Sequence, residues 1–152
     1  MAWSSTAPAA LAGLVTLFRR IDLNGEVRDG PATGDAAALE VVTVGYIGPD
    51  DDAAVENVSD STGLAGLDRE NYDVHCACAV LSGDEGQGVT DVRARAFELL
   101  AACGQLIVAD PKLAGAVMQS RISSWSLRED MTTGGPYARI RFDVSVDAFA
   151  NR

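Results

Sequence analysis

The chain has 152 residues and an apolar share of 47%, enough for one domain with a real core, and no uninterrupted apolar run reaches the length of a membrane span. Its formal net charge of −10 argues against a protein that grips nucleic acid through the phosphates, which needs basic surface. Eleven of the twelve basic residues are Arg, with Lys112 alone, a bias that reads as GC-rich coding and carries no mechanism.

The opening stretch, MAWSSTAPAALAGLVTLFRR, has the apolar centre of a signal peptide. It lacks a basic start, and Arg19-Arg20 follow the apolar part, the reverse of the order secretion uses. An amphipathic helix of a cytosolic protein is the expectation. Ser5 or Thr6 is placed to cap it, with Pro8 in the opening turn. Leu11, Leu14, Val15 and Phe18 form one apolar stripe, and Arg19 and Arg20 suit the negative C-terminal end. Asn24-Gly25 ends this unit. A short extended piece around residues 26–28 leads to the turn Asp29-Gly30-Pro31.

Residues 39–47 (LEVVTVGYI) are β-rich and apolar on both faces, which predicts a central strand. Residues 48–69 then predict a long flexible loop, rich in Gly, Asp and Ser. Such a loop has little to bury and is expected to order only against a partner. Val55, Val58, Leu64 and Leu67 are the spaced apolar groups it offers to one. Residues 72–81 (YDVHCACAVL) predict a second strand, with Tyr72, Val74, Cys76, Cys78 and Val80 on one face. A glycine-rich acidic connection (SGDEGQG) follows.

Residues 90–109 carry the strongest helical period. Val92, Ala96, Leu99, Cys103 and Leu106 share one face, widened by Leu100 and Ile107. Thr90 is placed to cap the start, and Asp110-Pro111 closes the end. The back of this helix is also apolar, with Ala94, Phe97, Ala101, Gly104 and Val108. A surface helix ordinarily shows one stripe, so a second layer of the chain or another subunit must cover the other. The chain's own N-terminal helix is one candidate cover. Arg93, Phe97, Ala101, Gly104 and Val108 are the candidate subunit interface. Residues 121–128 and 137–149 predict two strands joined by a Thr133-Gly134-Gly135-Pro136 hairpin. The last one alternates cleanly, with Ala138, Ile140, Phe142, Val144, Val146 and Ala148 inward. The order α-β-β-β-α-β-β defines an α+β fold over residues 1–152. It has a mostly antiparallel or mixed sheet, a long central helix and an N-terminal helix packed on it.

Most candidate chemistry fails on geometry. His75, Cys76 and Cys78 invite a zinc reading, but on a strand His75 points away from both cysteines and the spacing is too tight for a structural site. Buried thiols in a reducing compartment fit better. A Cys76–Cys78 disulfide would need same-face strand neighbours, near the ~7 Å bridging limit, to close. Residues 83–88 follow a strand and precede a helix, yet they lack the glycine order of a phosphate loop, and Asp84 and Glu85 would repel phosphate. Residues 22–29 lack the glycine of a calcium loop, since Val27 stands in its place. Asp50, Asp51 and Asp52 could attract a hard cation, but such runs are usually solvated. No catalytic residue, metal or cofactor is expected, and the chain does not read as an enzyme.

ENYDVHCACAVLSGDEG, then RARAFELLAACGQLIVADPKLAG, then ARIRFDVSVDAF, resembles the tail terminator proteins of long-tailed phages. In that family a strand runs into a variable loop and a helix with an Arg near its start. An Asp-Pro-x-Leu-x-Gly-type turn and an alternating strand follow. Here these are residues 72–81, Arg93 and Arg95, residues 110–115, and residues 138–148; the N-terminal helix and the Val27-x-Asp29-Gly30-Pro31 element are also similar. The resemblance implies a homohexameric ring that caps the completed tail tube, ends its polymerisation and joins the tail to the head connector. Its partners would be itself, the tail tube protein and the connector protein. DNA would pass through without specific binding. It would lie in the host cytoplasm during assembly and then at the head-proximal end of the virion tail. Asp50, Asp51, Asp52, Asp84 and Glu85 are the candidate channel-lining acids of such a ring, or else solvated outer surface. Another neck or head-tail completion protein is the nearest alternative. A small-ligand-binding α+β domain using the 83–88 loop is one from a different class.

Overall fold

The computed structural model describes residues 3–31, 39–46, 53–57, 68–84, 86 and 88–151. The elements are α1 (Ala7–Phe18), β1 (Gly25–Asp29), β2 (Glu40–Val44), β3 (Val55–Asn57), β4 (Arg69–Leu81), α2 (Val89–Ala109), β5 (Gln119–Thr132) and β6 (Gly135–Phe149). The fold is α+β, as the periodicities predict. The sheet runs β1-β2-β4-β6-β5, with β1 parallel to β2 and the other pairs antiparallel. β3 pairs with β4 on the same side as β2, so the two short strands together line one edge of the longer one.

The core follows from alternation. Tyr72, Val74, Cys76, Cys78 and Val80 of β4 and Ala138, Ile140, Phe142, Val144, Val146 and Ala148 of β6 are buried on one face of the sheet. Leu14, Val15 and Phe18 of α1 and Val92, Ala96, Leu99, Cys103 and Ile107 of α2 join them in one cluster. Phe18 meets Phe142 at 6.2 Å between ring centroids. Each large apolar side chain enclosed this way stabilises the fold by about 1.5–3 kcal/mol. Both helices therefore lie on one face. The other face carries Asp73, His75, Arg139, Arg141, Asp143 and Ser145 and is only partly covered by their own side chains.

Four local details differ from the sequence reading. Helix α2 starts at Val89 behind an extended Gly88, so Thr90 lies inside the first turn and caps nothing. Thr6 holds the N-cap position of α1 but makes no side-chain cap, whereas the Ser5 hydroxyl accepts from the first helical amide, that of Ala7, at 3.1 Å. The Glu70 carboxylate, brought by β4, accepts from the Thr6 amide and hydroxyl, both at 2.8 Å, and from the Ser5 hydroxyl at 2.6 Å. A carboxylate there also suits the positive end of the helix dipole. Third, the span expected as a loop over 48–69 contains the strand β3 and the first residue of β4. Fourth, the strand expected over 39–47 is shorter, running Glu40–Val44, though it lies inside the sheet between β1 and β4 as expected.

The turn after α2 is tightly fixed. The Asp110 carboxylate accepts from the Ala114 amide at 3.2 and 3.1 Å. Leu113, Ala114 and Gly115 all take positive φ, at 49°, 58° and 86°. Only Gly115 does so freely, because a Cβ crowds the backbone in that region. Burial of Leu113 in the core offsets the strain at that residue.

Candidate assembly surface

The back of α2 faces β5, not α1. Phe97 is half-buried and meets Trp125 edge-on, with centroids 5.2 Å apart and planes at 89°. A Cβ built on Gly104 would touch Ile122 Cδ1 at 3.6 Å, an ordinary contact. Arg93 forks onto the Glu129 carboxylate of β5 through Nε and Nη2. That charge-assisted pair holds the Glu129 carboxyl below its usual range and pushes the Arg93 guanidinium up. Three of the five expected interface residues are thus engaged within the chain. The cover is a second layer of the same chain, as expected for one of the alternatives, but it is strand β5 and not the N-terminal helix. It is incomplete, since Ala101 is exposed and Val108 is 80% exposed at the end of the stripe.

Apolar exposure continues beyond the helix. Trp125 is 55% exposed despite its contact with Phe97, and Met118 and Met131 near the two ends of β5 are also exposed. Trp125 and the β5 edge were not singled out from sequence. The stretch RISSWSLR read as a strand, but nothing local says which strand ends the sheet.

Arg95, the second basic residue near the start of α2, has an internal role. Its Nε and Nη2 donate to the two oxygens of Glu40, at 2.7 and 3.1 Å, and Nη2 also reaches the Asp22 carbonyl at 2.9 Å. Nη1 donates to Glu98 at 3.0 Å. Glu40, only 8% exposed, accepts a third bond from the Asn24 amide at 2.8 Å. The Arg95 hydrogen bonds hold its carboxyl below the ordinary range. This bolt ties α2, β2 and the α1–β1 connection together.

The remaining expected residues fall in several places. Val55 lies in β3, half-buried and packed against the core, so it is not a free loop group. Val58, Leu64, Leu67, Asp50, Asp51, Asp52 and Glu85 lie outside the described residues. Asp84 is exposed. Its Oδ1 accepts from the Gly86 amide at 2.9 Å, and its backbone abuts Gly135, where a Cβ would meet the Asp84 carbonyl at 2.8 Å. Asp84 therefore sits against the β5–β6 turn.

On the open face, His75 Nδ1 lies 2.5 Å from Asp143 Oδ1, and Ser124 Oγ donates to Asp143 Oδ2 at 3.1 Å. A nucleophilic relay would need the serine on the other imidazole nitrogen. Here that nitrogen lies 3.7 Å from Glu56, and serine and histidine share the acid without touching each other. Cys76, Cys78 and Cys103 are free and buried, and burial pushes the Cys76 thiol far up. Among the described residues no group of three His, Cys, Asp or Glu side chains is arranged to hold a metal, and no helix is long and apolar enough to cross a membrane. No family model and no curated protein matches this chain.

Proposed function

We propose that this chain is a virion structural protein of a long-tailed phage, forming a ring that caps the completed tail tube and joins it to the head connector. The observation that carries the reading is the sequence of parts from β4 onward. Strand, acidic connection, helix with Arg93 and Arg95 in its opening turns, strained Asp110–Gly115 turn and long hairpin follow one another in one sheet-and-helix layer. The surface supports an assembly role. Apolar groups at Val108, Met118, Trp125 and Met131 are exposed along one flank of the chain, of the kind that mark protein contacts when they cluster. In this reading the protein has no catalytic step and no cofactor. Its partners are further copies of itself, the tube protein and the connector, while DNA passes through the ring.

Light scattering behind size exclusion, followed by micrographs of the protein with capped and uncapped tails, tests the proposal. A ring in solution, or density added only to uncapped tail ends, is the expected result. A strict monomer that leaves both kinds of tail undecorated would overturn it.

A further inference from the structure

We propose that the free edge of β5 is a docking strand for an extended acidic segment of a partner protein, whose carboxylates meet Arg128 and Arg139. Two independent observations converge here. The first is the edge itself. β5 is the last strand of the sheet, pairing with β6 on one side and with no described strand on the other. It is 14 residues long and contains neither Pro nor Gly. Folded proteins ordinarily shorten, break or cover such an edge, because its unpaired amides and carbonyls template a further strand. The bulge between Ile122 and Ser124 interrupts only its first part, leaving 124–132 in regular register.

The second observation is charge. Arg128 of β5 stands directly across from Arg139 of β6, and like charges in that position destabilise a sheet. Arg141 lies two residues along β6 on the same face, opposite Ser126. Elsewhere Arg28, Arg69, Arg93 and Arg95 each reach a carboxylate. Arg128 and Arg139, like Arg19, Arg20 and Arg121, reach none among the described residues, but of these only Arg128 and Arg139 face each other across two strands. The neighbouring carboxylate on their face, Asp130, turns back to accept from the Met131 amide at 2.8 Å.

Together these features specify the occupant. A strand added to β5 places alternate side chains opposite Ser126 and Arg128 on the open face, and the others opposite Trp125 and Leu127 on the helix face. The first set must be acidic and the second apolar. Only a polypeptide can match the edge amides and both faces at once, which separates this surface from a nucleic-acid site. A net charge of −10 also repels duplex DNA as a whole. The inference holds whether or not the chain belongs to a tail.

A short fluorescent peptide of alternating Glu and Val is the probe, beside a Lys-Val peptide of the same length and a DNA duplex, read by anisotropy at low salt. The Glu-Val peptide should bind and the other two should not. Amides of residues 124–130 should gain hydrogen-exchange protection in the complex. Reversing both charges, Arg128→Glu with Arg139→Glu, should weaken Glu-Val binding at least about tenfold and admit the Lys-Val peptide, with an undiminished melting point. That gain of binding separates lost recognition from lost folding. Absence of Glu-Val binding, equal binding of DNA, or binding that survives the charge reversal would overturn the proposal. So would a wild-type mass that rises with concentration and falls on charge reversal, since the edge would then belong to a second copy.

Discussion

Replacing Arg95 by Ala removes two hydrogen bonds to a nearly buried carboxylate and leaves Glu40 with the Asn24 amide alone. The guanidinium is itself about one-third exposed, so water replaces part of what is lost. Stranding a buried charge typically costs more than the net worth of the pair, and about 2–4 kcal/mol is expected at pH 7. The pH dependence has a definite sign. Arg95 depresses the Glu40 carboxyl, so the stability it confers is present above the ordinary carboxylate value of 4.5 and is lost as pH falls through the depressed folded value. The gap between wild type and Arg95→Ala should therefore be widest near neutrality and close in acid, where a protonated Glu40 no longer misses its partner. Glu40→Gln keeps the shape and removes the charge. Added to Arg95→Ala, it should recover about 1–2 kcal/mol of the single variant's loss. Urea melts of the wild type and three variants across the acid range measure all of these terms. A cost under about 1 kcal/mol at pH 7, a gap that persists in acid, or strict additivity would refute the assignment of Arg95–Glu40 as the bolt.

Further predictions follow from the same contacts. Ala114→Gly should relieve the positive-φ strain at an exposed site, and because glycine also gains entropy when unfolded, the net change in a thermal melt should lie between zero and about +1 kcal/mol. Gly104→Ala should raise stability by about 0.5–1 kcal/mol, since the new methyl meets Ile122 at ordinary contact distance; a loss of stability would show that the α2–β5 seam is tighter. Trp125→Ala should lower stability by about 1 kcal/mol or more through its edge contact with Phe97, and Phe97→Ala added to it should cost less than it does alone, as a double-mutant cycle reads. The three thiols should resist a thiol reagent in the native protein and react together in denaturant, because all three are buried out of the reagent's reach; rapid reaction of one thiol in the native state would contradict the packing.

Periodicity made much of this fold legible. The alternation of residues 138–148 and the 3.6-residue period through Val92, Ala96, Leu99 and Cys103 both survive as the buried faces of β6 and α2, because burial is what the periods encode. What could not be read is what depends on pairing across the chain. Glu40 is an acid beside an apolar run, and the Arg95 that neutralises it lies 55 residues away. Likewise the second stripe of α2 signals that something covers it without saying what. Only the sheet order puts β5 beside Phe97. Leu113 and Ala114 hide for another reason: their side chains give no sign of positive φ, and Gly115 alone marks the turn. Of the expected assembly surface, Val108 and Ala101 remain open, while Arg93 and Phe97 turn out to hold β5 in place.

The distribution of charge constrains how a ring of the proposed kind could be oriented. A net charge of −10 per chain suggests an acidic lumen that would not hold passing DNA. That total conceals an uneven surface, for Arg128 and Arg139 stand across from each other on β5 and β6, on the open face that also carries Asp73 and Asp143. Turned toward the channel, that face would present arginines to phosphates and slow DNA through counterion release, six times over in a hexamer. A freely conducting ring of this kind would therefore point this face away from its axis, toward the acidic partner segment proposed for the β5 edge. Asp84 lies beside the β5–β6 turn, at one end of the sheet, so it could approach an axis that the arginines avoid. Replacing Asp84 with Lys should then slow ejection at low salt, where attraction is least screened, while Arg128→Glu should weaken binding of the acidic partner segment and leave ejection from completed particles unchanged. Faster ejection by Arg128→Glu particles would place the open face on the lumen and reverse this orientation.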